Sequence, residues 1–392
     1  MTERTAETLT LNMGPQHPST HGVLRLVLEL EGEIVRKCSP VVGYLHTGIE
    51  KEMETRTYLQ NVTLVDRIEY VASYMEEMAF YASVEALMGL AVPPRARYIR
   101  VLMCELNRIA SHLIYLGTAA LDLNISSVFM YCFADRERCL DLSEMVSGQR
   151  MMPGYFRAGG VAADLPDEFV PAARAFLDEI PRRVDEYARL LDDNLIWRER
   201  TQGVAVLSRG DAIALGATGP VLRGSGVPHD IRKLLPYGGY DEFEFDVPTA
   251  AQGDAYARYR VRLEEMRQSR RIALQALERL PAGPVATSDR KVTLPPRAEL
   301  ARSMEAVIHQ FKLVSEGYHP PAGDSYVATE SARGEKGYYI VSDGSNRPVR
   351  VHVRAPSFYN LQTLPAMIEG RPLADAVVAI ASLDIILGDV DR

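Results

Sequence analysis

Residues 23–30, VLRLVLEL, alternate strictly, with Leu24, Leu26, Leu28 and Leu30 on one side and Arg25, Val27 and Glu29 on the other. A period of two predicts a half-buried strand. Glu31-Gly32-Glu33 then turns the chain toward a second short strand at Ile34 and Val35, giving a small N-terminal β unit. From about residue 60 the spacing becomes helical. Val65, Ile68, Ala72, Met75, Ala79, Ala82 and Ala86 make one stripe, and Tyr70, Tyr74, Tyr81, Val84 and Met88 a second. A helix apolar over so much of its circumference belongs deep in a core. After Pro93-Pro94, the positions Ile99, Leu102, Leu106, Ile109, Leu113 and Leu116 advance in alternating steps of three and four, as in a helix packed along a neighbour. Two more long helices are predicted over 167–192 and 254–280, the later one with Tyr259, Leu263, Met266, Ala273, Leu277 and Leu280 on a seam interrupted by Arg270. Between them, ALGATGPVLRGSGVPHD lacks the preceding strand and the Lys-Ser/Thr ending of a phosphate loop, and reads as an irregular connection on the bundle. Strand signals return in the C-terminal third, where GYYIVSDG and PVRVHVR flank Gly344-Ser345-Asn346 as a hairpin. The pattern predicts an α+β protein with an N-terminal antiparallel β unit over 1–58, a helical bundle core over 59–295, and a C-terminal region over 296–392 with a β hairpin and a buried tail.

With 392 residues, the chain is long enough for two or three packed units. Its net charge of -8 is well mixed and includes no long basic run, which argues against nucleic-acid binding. Cys38, Cys104, Cys132 and Cys139 form no C-x-x-C pair, so the chain alone builds neither a zinc knuckle nor an iron–sulfur site, and a reducing compartment fits best. MTERTAET lacks the apolar core of a secretory signal. The most apolar stretch, SHLIYLGTAALDLNISSVFMYCFA, is interrupted by Asp122, Asn124 and two serines, so no transmembrane span is expected and other subunits would hold the protein at any membrane.

Two short segments raise questions of chemistry. GPQHPSTHG, residues 14–22, places His17 and His21 four apart, the spacing at which two histidines on a helix share zinc. Pro15 and Pro18 disfavour a helix there, and no Glu lies between the histidines as a base, so a turn with satisfied polar side chains is the plainer alternative. TESARGE, residues 329–335, offers Arg333 beside Gly334 either as an approach point for an anion or polar cofactor or as a loop with one ion pair.

Taken together, GPQHPSTHGVLRL, GYLHTGIEK, RTYLQN, DRIEY, VPPRARYIRVLMCELNRIASHL, TESARGE followed by GYYIVSDG, VRAPSF and GDVDR resemble the D-subunit family of respiratory complex I, the NADH:quinone oxidoreductase, over essentially the whole chain. That family is related to the large subunit of nickel–iron hydrogenases, whose two C-x-x-C pairs hold the metals. Here Asp384 to Asp389 is similar to the final hydrogenase motif, with Ile386 and Asp389 where thiolates would stand and Ile385 where a proline is usual. The resemblance implies a hydrogenase-like fold whose emptied metal cavity receives a quinone.

It further implies that the 14–22 loop is the tip of a β-hairpin at the deep end of the quinone chamber. His21 and Tyr70, the latter from the first helix, would face the headgroup as substrate-binding and catalytic residues. Asp122 would pair with His21, raise its pKa, and start the conformational signal when the proton leaves for the quinol. No cofactor is expected on this chain. Electrons would come from a tetranuclear iron–sulfur cluster in a partner subunit, and the other partners would be the remaining hydrophilic-arm subunits and the membrane arm, on the cytoplasmic side of a bacterial cell membrane. In many relatives a histidine that hydrogen-bonds the cluster follows G-x-R; here Met152 takes its place, and a thioether neither donates nor titrates. A low-potential quinone such as menaquinone would suit that change. The competing readings are a membrane-bound hydrogenase large subunit, a non-catalytic scaffold, and a zinc hydrolase using His17 and His21.

Overall fold

The computed structural model describes residues 8–392. A three-stranded antiparallel sheet comes first, in the order β1 (Thr8–Met13), β2 (Arg25–Glu31), β3 (Ile34–Val41). β2 follows the alternation, with Leu24, Leu26, Leu28 and Leu30 all buried. β1 is an edge strand that carries little pattern, because Leu9 is exposed and the strand is held by its pairing, Leu11 opposite Leu28.

The short helices Ile49–Met53 and Val62–Val65 lead to α1 (Ser73–Met88), α2 (Pro94–Asp122) and α3 (Ser126–Ser147). α1 is as deeply buried as its two stripes predict, but the helix expected from about residue 60 is broken. Arg67–Ala72 forms turns, so Tyr70 projects from a turn and not from a helix. Tertiary bonds explain the break: Ser73 Oγ donates to the Asp66 carbonyl at 3.2 Å and Asn107 Nδ2 to the Val71 carbonyl at 3.1 Å. These bonds capture carbonyls that an uninterrupted helix would use itself. All six stripe residues of α2 are buried, and the helix packs against α3 and against α5 (Ala255–Glu278), with α4 (Phe169–Asp192) beyond. α3 has a buried row, but Asp135 and two cysteines belong to it, which blurs its apolar signal. Arg270 interrupts the α5 seam only at its edge, where Nε donates to the Leu177 carbonyl of α4 at 2.7 Å.

The glycine-rich connection, expected to be irregular, contains the short helix Gly219–Gly224 and runs between Arg209–Ala214 and Ile231–Leu234. Gly219 has φ +66°, and a Cβ there would lie 2.3 Å from the Arg333 carbonyl, so this segment docks directly on the 331–334 turn. That turn joins β4 (Gly323–Ser331) to β5 (Gly334–Ser342), and the predicted hairpin follows, β5 pairing with β6 (Arg350–Arg354). The last elements are α6 (Leu373–Leu383) and the short helix Leu387–Asp391.

Two apolar cores result. One fills the helical bundle; the other joins Leu24, Leu26 and Leu28 to Ile380, Leu383 and Val390, so the two ends of the chain bury each other's apolar surface. This second core brings the 14–24 loop beside the C-terminal segment.

Candidate functional site

The loop carrying His21 is tightly built. His17 Nδ1 accepts from the Ser19 amide at 3.2 Å, the buried Thr20 hydroxyl donates to the His17 carbonyl at 2.9 Å, and the His21 amide donates to the Pro18 carbonyl at 3.1 Å. Pro18–Thr20 forms one 3₁₀ turn, and His21 ends it in the left-handed region at φ 55°. Gly14, at φ +87°, closes the loop: a Cβ there would sit 2.1 Å from the Leu24 carbonyl. The histidines do not form a metal site, since among the described residues no three His, Cys, Asp or Glu side chains converge as ligands.

Tyr70 is half-buried, and its turn is anchored through its neighbour Glu69. Arg333 is the anchor. From the β4–β5 turn its Nη1 donates to Glu69 Oε1 at 2.7 Å and to Ser111 Oγ of α2 at 2.6 Å. Its Nε and Nη2 hold the Asp384 carbonyl and carboxylate, each at 3.0 Å. One buried guanidinium thus ties together the Tyr70 turn, the central helix and the segment after α6. Of the two readings of Arg333, the ion-paired one holds, but the residue is buried and doubly paired, not an exposed loop side chain.

Neither His21 nor Tyr70 bonds to this guanidinium, but its charge acts on both. Desolvation lowers the pKa of His21; the Asp384 carboxylate raises it and Arg333 lowers it. Desolvation raises the phenol of Tyr70, and Arg333 opposes that shift. With its pKa lowered, His21 is neutral near pH 7, contrary to the expectation that an adjacent carboxylate would raise that pKa. The carboxylate in reach is also not the expected one. Asp122, the last residue of α2, makes no ion pair with His21; the imidazole that stabilises its charge is that of His17, and partial desolvation pushes it up to about 6. Asp122 lines a small cavity with Tyr115, Trp197 and Ser382.

A second buried network lies behind the first. Lys336 Nζ contacts Asp389 Oδ1 at 2.6 Å and pairs with Glu76, and Tyr338 donates to Glu76 Oε2 at 2.6 Å. Asp389 thus forms a salt bridge at a position where the hydrogenase resemblance places a thiolate. Burial pushes Glu76 up to about 8 even with Lys336 beside it. Glu69, Asp384, Lys336 and Asp389 are absent from the expected site; the signal for Asp384 and Asp389 is charge inside the otherwise apolar LDIILGDV, while Glu69 and Lys336 lie in charged segments that do not set them apart.

Two openings flank these residues. A cavity of about 30 Å³, room for roughly one water, is lined by Tyr70, Val71, Asn107, Arg136, Met152 and Pro153. A wider, mostly apolar groove of about 860 Å³ runs along Met13–His17 and Pro372–Val377.

The family described as Respiratory-chain NADH dehydrogenase, 49 Kd subunit, matches residues 122–392, more than half of the chain. The chain belongs to this 49-kDa family. An NADH-quinone oxidoreductase D-subunit of Protochlamydia amoebophila is 56% identical over 390 residues, covering 100% of this chain and 97% of the relative. A D-subunit of the same oxidoreductase from Chloroflexus aurantiacus is 56% identical, with 98% and 95% covered, and NADH-quinone oxidoreductase subunit 4 of Thermus thermophilus is 54% identical, with 100% and 95% covered. The chain is thus a subunit of the complex I oxidoreductase, with the α+β, hydrogenase-large-subunit-like fold expected of it. No helix among the described residues is long and apolar enough to cross a membrane.

Proposed function

We propose that this chain forms the quinone-headgroup site of a proton-pumping NADH:quinone oxidoreductase, with His21 and Tyr70 as the hydrogen donors. The observation that carries this reading is that buried Arg333 ties the Tyr70 turn, through Glu69, to the Asp384 segment, and that the helix ending at Leu383 shares its apolar core with Leu24 beside the His21 loop. Reducing a quinone takes two electrons and two protons. A tetranuclear iron–sulfur cluster of the partner subunit supplies the electrons; this chain orients the headgroup and places donors where negative charge develops. Tyr70 stays a phenol, its pKa raised by desolvation. His21 begins neutral, and negative charge appearing on a quinone oxygen adds to that of Asp384 and draws the imidazole toward its charged form. His21 thus takes up a proton from solvent as the electrons arrive and passes it to the reduced quinone oxygen, returning to its neutral form.

Asp122 remains the group we assign to the coupling step, through His17 of the same loop in place of His21. Met152 faces the cluster in this reading and offers it no hydrogen bond, so the cluster has a low potential with little pH dependence, suited to menaquinone. A steep pH slope in a redox titration contradicts that assignment. The subunit sits on the cytoplasmic side of the bacterial membrane, between the iron–sulfur subunit and the membrane arm. The test is kinetic. Tyr70→Phe and His21→Ala in the assembled complex should slow quinone reduction by tenfold or more while electron transfer to an artificial upstream acceptor continues; normal quinone turnover in both refutes the proposal.

A further inference from the structure

Three consecutive backbone amides, those of Gly154, Tyr155 and Phe156, donate into a pair of buried carboxyl groups. Asp66 Oδ2 accepts from Gly154 at 2.9 Å, Glu77 Oε1 from Tyr155 at 3.2 Å, and Glu77 Oε2 from Phe156 at 2.5 Å. Asp66 is 2% exposed and Glu77 0%. α1 carries three buried glutamates, and two of them have a cation: Glu76 has Lys336 and Glu85 has Arg100. Among the described residues, neither Glu77 nor Asp66 has a partner in an ion pair. The nearby guanidiniums are engaged elsewhere, Arg157 with the Gly154 and Phe156 carbonyls and Arg67 with the Thr63 carbonyl. Two ionised carboxylates side by side with no cation in contact, out of water, cost several kcal/mol each. The pair cannot be doubly charged.

Two further atoms show where a proton fits. Asp66 Oδ1 is buried and accepts no hydrogen bond from any N–H or hydroxyl among the described residues, and the hydroxyl of the fully buried Tyr81, one turn beyond Glu77, has no partner there either. A proton on Glu77 directed at Asp66 satisfies that oxygen and removes the second charge.

We propose that Asp66 and Glu77 share a single proton and that this acid–carboxylate pair is the clasp that positions the Arg150–Phe156 loop against the Tyr70 turn. The two elements it joins are the walls of the 30 Å³ cavity, where Tyr70 and Val71 face Met152 and Pro153. Asp66 and Glu77 are positioning residues in this arrangement; they touch the loop and not the substrate. The clasp stands whether or not a quinone is what the neighbouring site receives.

The groups facing the pair are Tyr74 and Tyr81 of α1, Cys104 of α2, Tyr155 and Arg157 of the loop, Arg67 of the Tyr70 turn and Tyr338 of β5. Desolvation raises Glu77 well above the ordinary carboxyl value and pushes Asp66 up to about 6. The pair therefore holds one proton around neutral pH and takes a second below about pH 6.

Infrared pH-difference spectra of the assembled complex test the clasp, together with isosteric variants. Asn at 66 can accept from the Gly154 amide and donate to Glu77, so Asp66→Asn should assemble normally while losing one carboxylic-acid carbonyl band of the native complex, distinct from those of Glu76 and Asp122, which Glu76→Gln and Asp122→Asn identify. It should also lose any inflection near pH 6 in quinone turnover. Glu77→Gln should lose the same band, with weaker assembly because its amide faces a backbone N–H. Asp66→Ala, with no acceptor for Gly154, should impair assembly. A band that persists in both isosteric variants, an Asp66→Asn variant that assembles as poorly as Asp66→Ala, or a native complex without the band overturns the proposal.

Discussion

His21 and Tyr70 reach the same guanidinium by opposite means. The loop of His21 is fixed by bonds within a stretch of about ten residues, His17 to Ser19, Thr20 to His17 and His21 to Pro18, and by a glycine that permits contact with Leu24. The turn of Tyr70 is fixed by charges from far along the chain: Arg333 on Glu69, and the amides of Gly154–Phe156 on Asp66 and Glu77. One arm is rigid because of local geometry, the other because buried carboxyl groups must keep their distant partners, a guanidinium for Glu69 and backbone amides for Asp66 and Glu77. A change to the first should move one side chain, whereas a change to the second should disturb the fold.

The largest effect should come from Arg333→Met. It leaves Glu69 buried without its cation and Asp384 with only Arg262 at 3.8 Å, a loss of about 3–5 kcal/mol, and should appear as failed assembly or a steeply lowered unfolding temperature. Gly14→Ala comes next: the left-handed backbone and the clash with Leu24 cost about 1–3 kcal/mol, confined to the loop. Quinone turnover should fall several-fold while the subunit still assembles. If both substitutions damage assembly equally, the contrast between a local and a long-range anchor fails.

A smaller effect follows from the lowered pKa of His21. The unfolded chain then binds more protons than the folded one in the window just below the ordinary imidazole value, so stability rises with pH through that window and falls on acidification. Native complex should lose more stability than His21→Gln between pH 7 and pH 5 in thermal unfolding; equal losses contradict the assignment. The smallest effect is expected for Asp122→Asn. With no bond to His21, it should leave quinone reduction within about twofold of native and change proton pumping alone. Unchanged pumping removes Asp122 from the mechanism.

The same contrast governs what the sequence could reveal. The strand alternation of Leu24–Leu30, the helices of Pro94–Asp122 and Ala255–Glu278 and the hairpin after Ser342 depend on local period and turn chemistry, and each appears where the pattern predicts it. The prolines and glycines of the 14–22 loop likewise signal a constrained turn. The break before Ser73 was not legible, because one of the two bonds that cause it comes from Asn107, distant in sequence. Nor was the carboxylate that acts on His21: Asp384 stands out as a charge at the end of an apolar helix, but nothing local says which distant group it faces. The resemblance supplied His21 and Tyr70, while the buried ions that hold them needed the three-dimensional arrangement.

The central claim is that these two side chains face one space that accepts a quinone. Labelling the assembled complex with a quinone that carries a photoreactive group on its headgroup tests this directly. The account predicts adducts on both the 14–24 and the 66–72 segments, competed away by unlabelled quinone. Adducts on only one of them, or on neither, would contradict it.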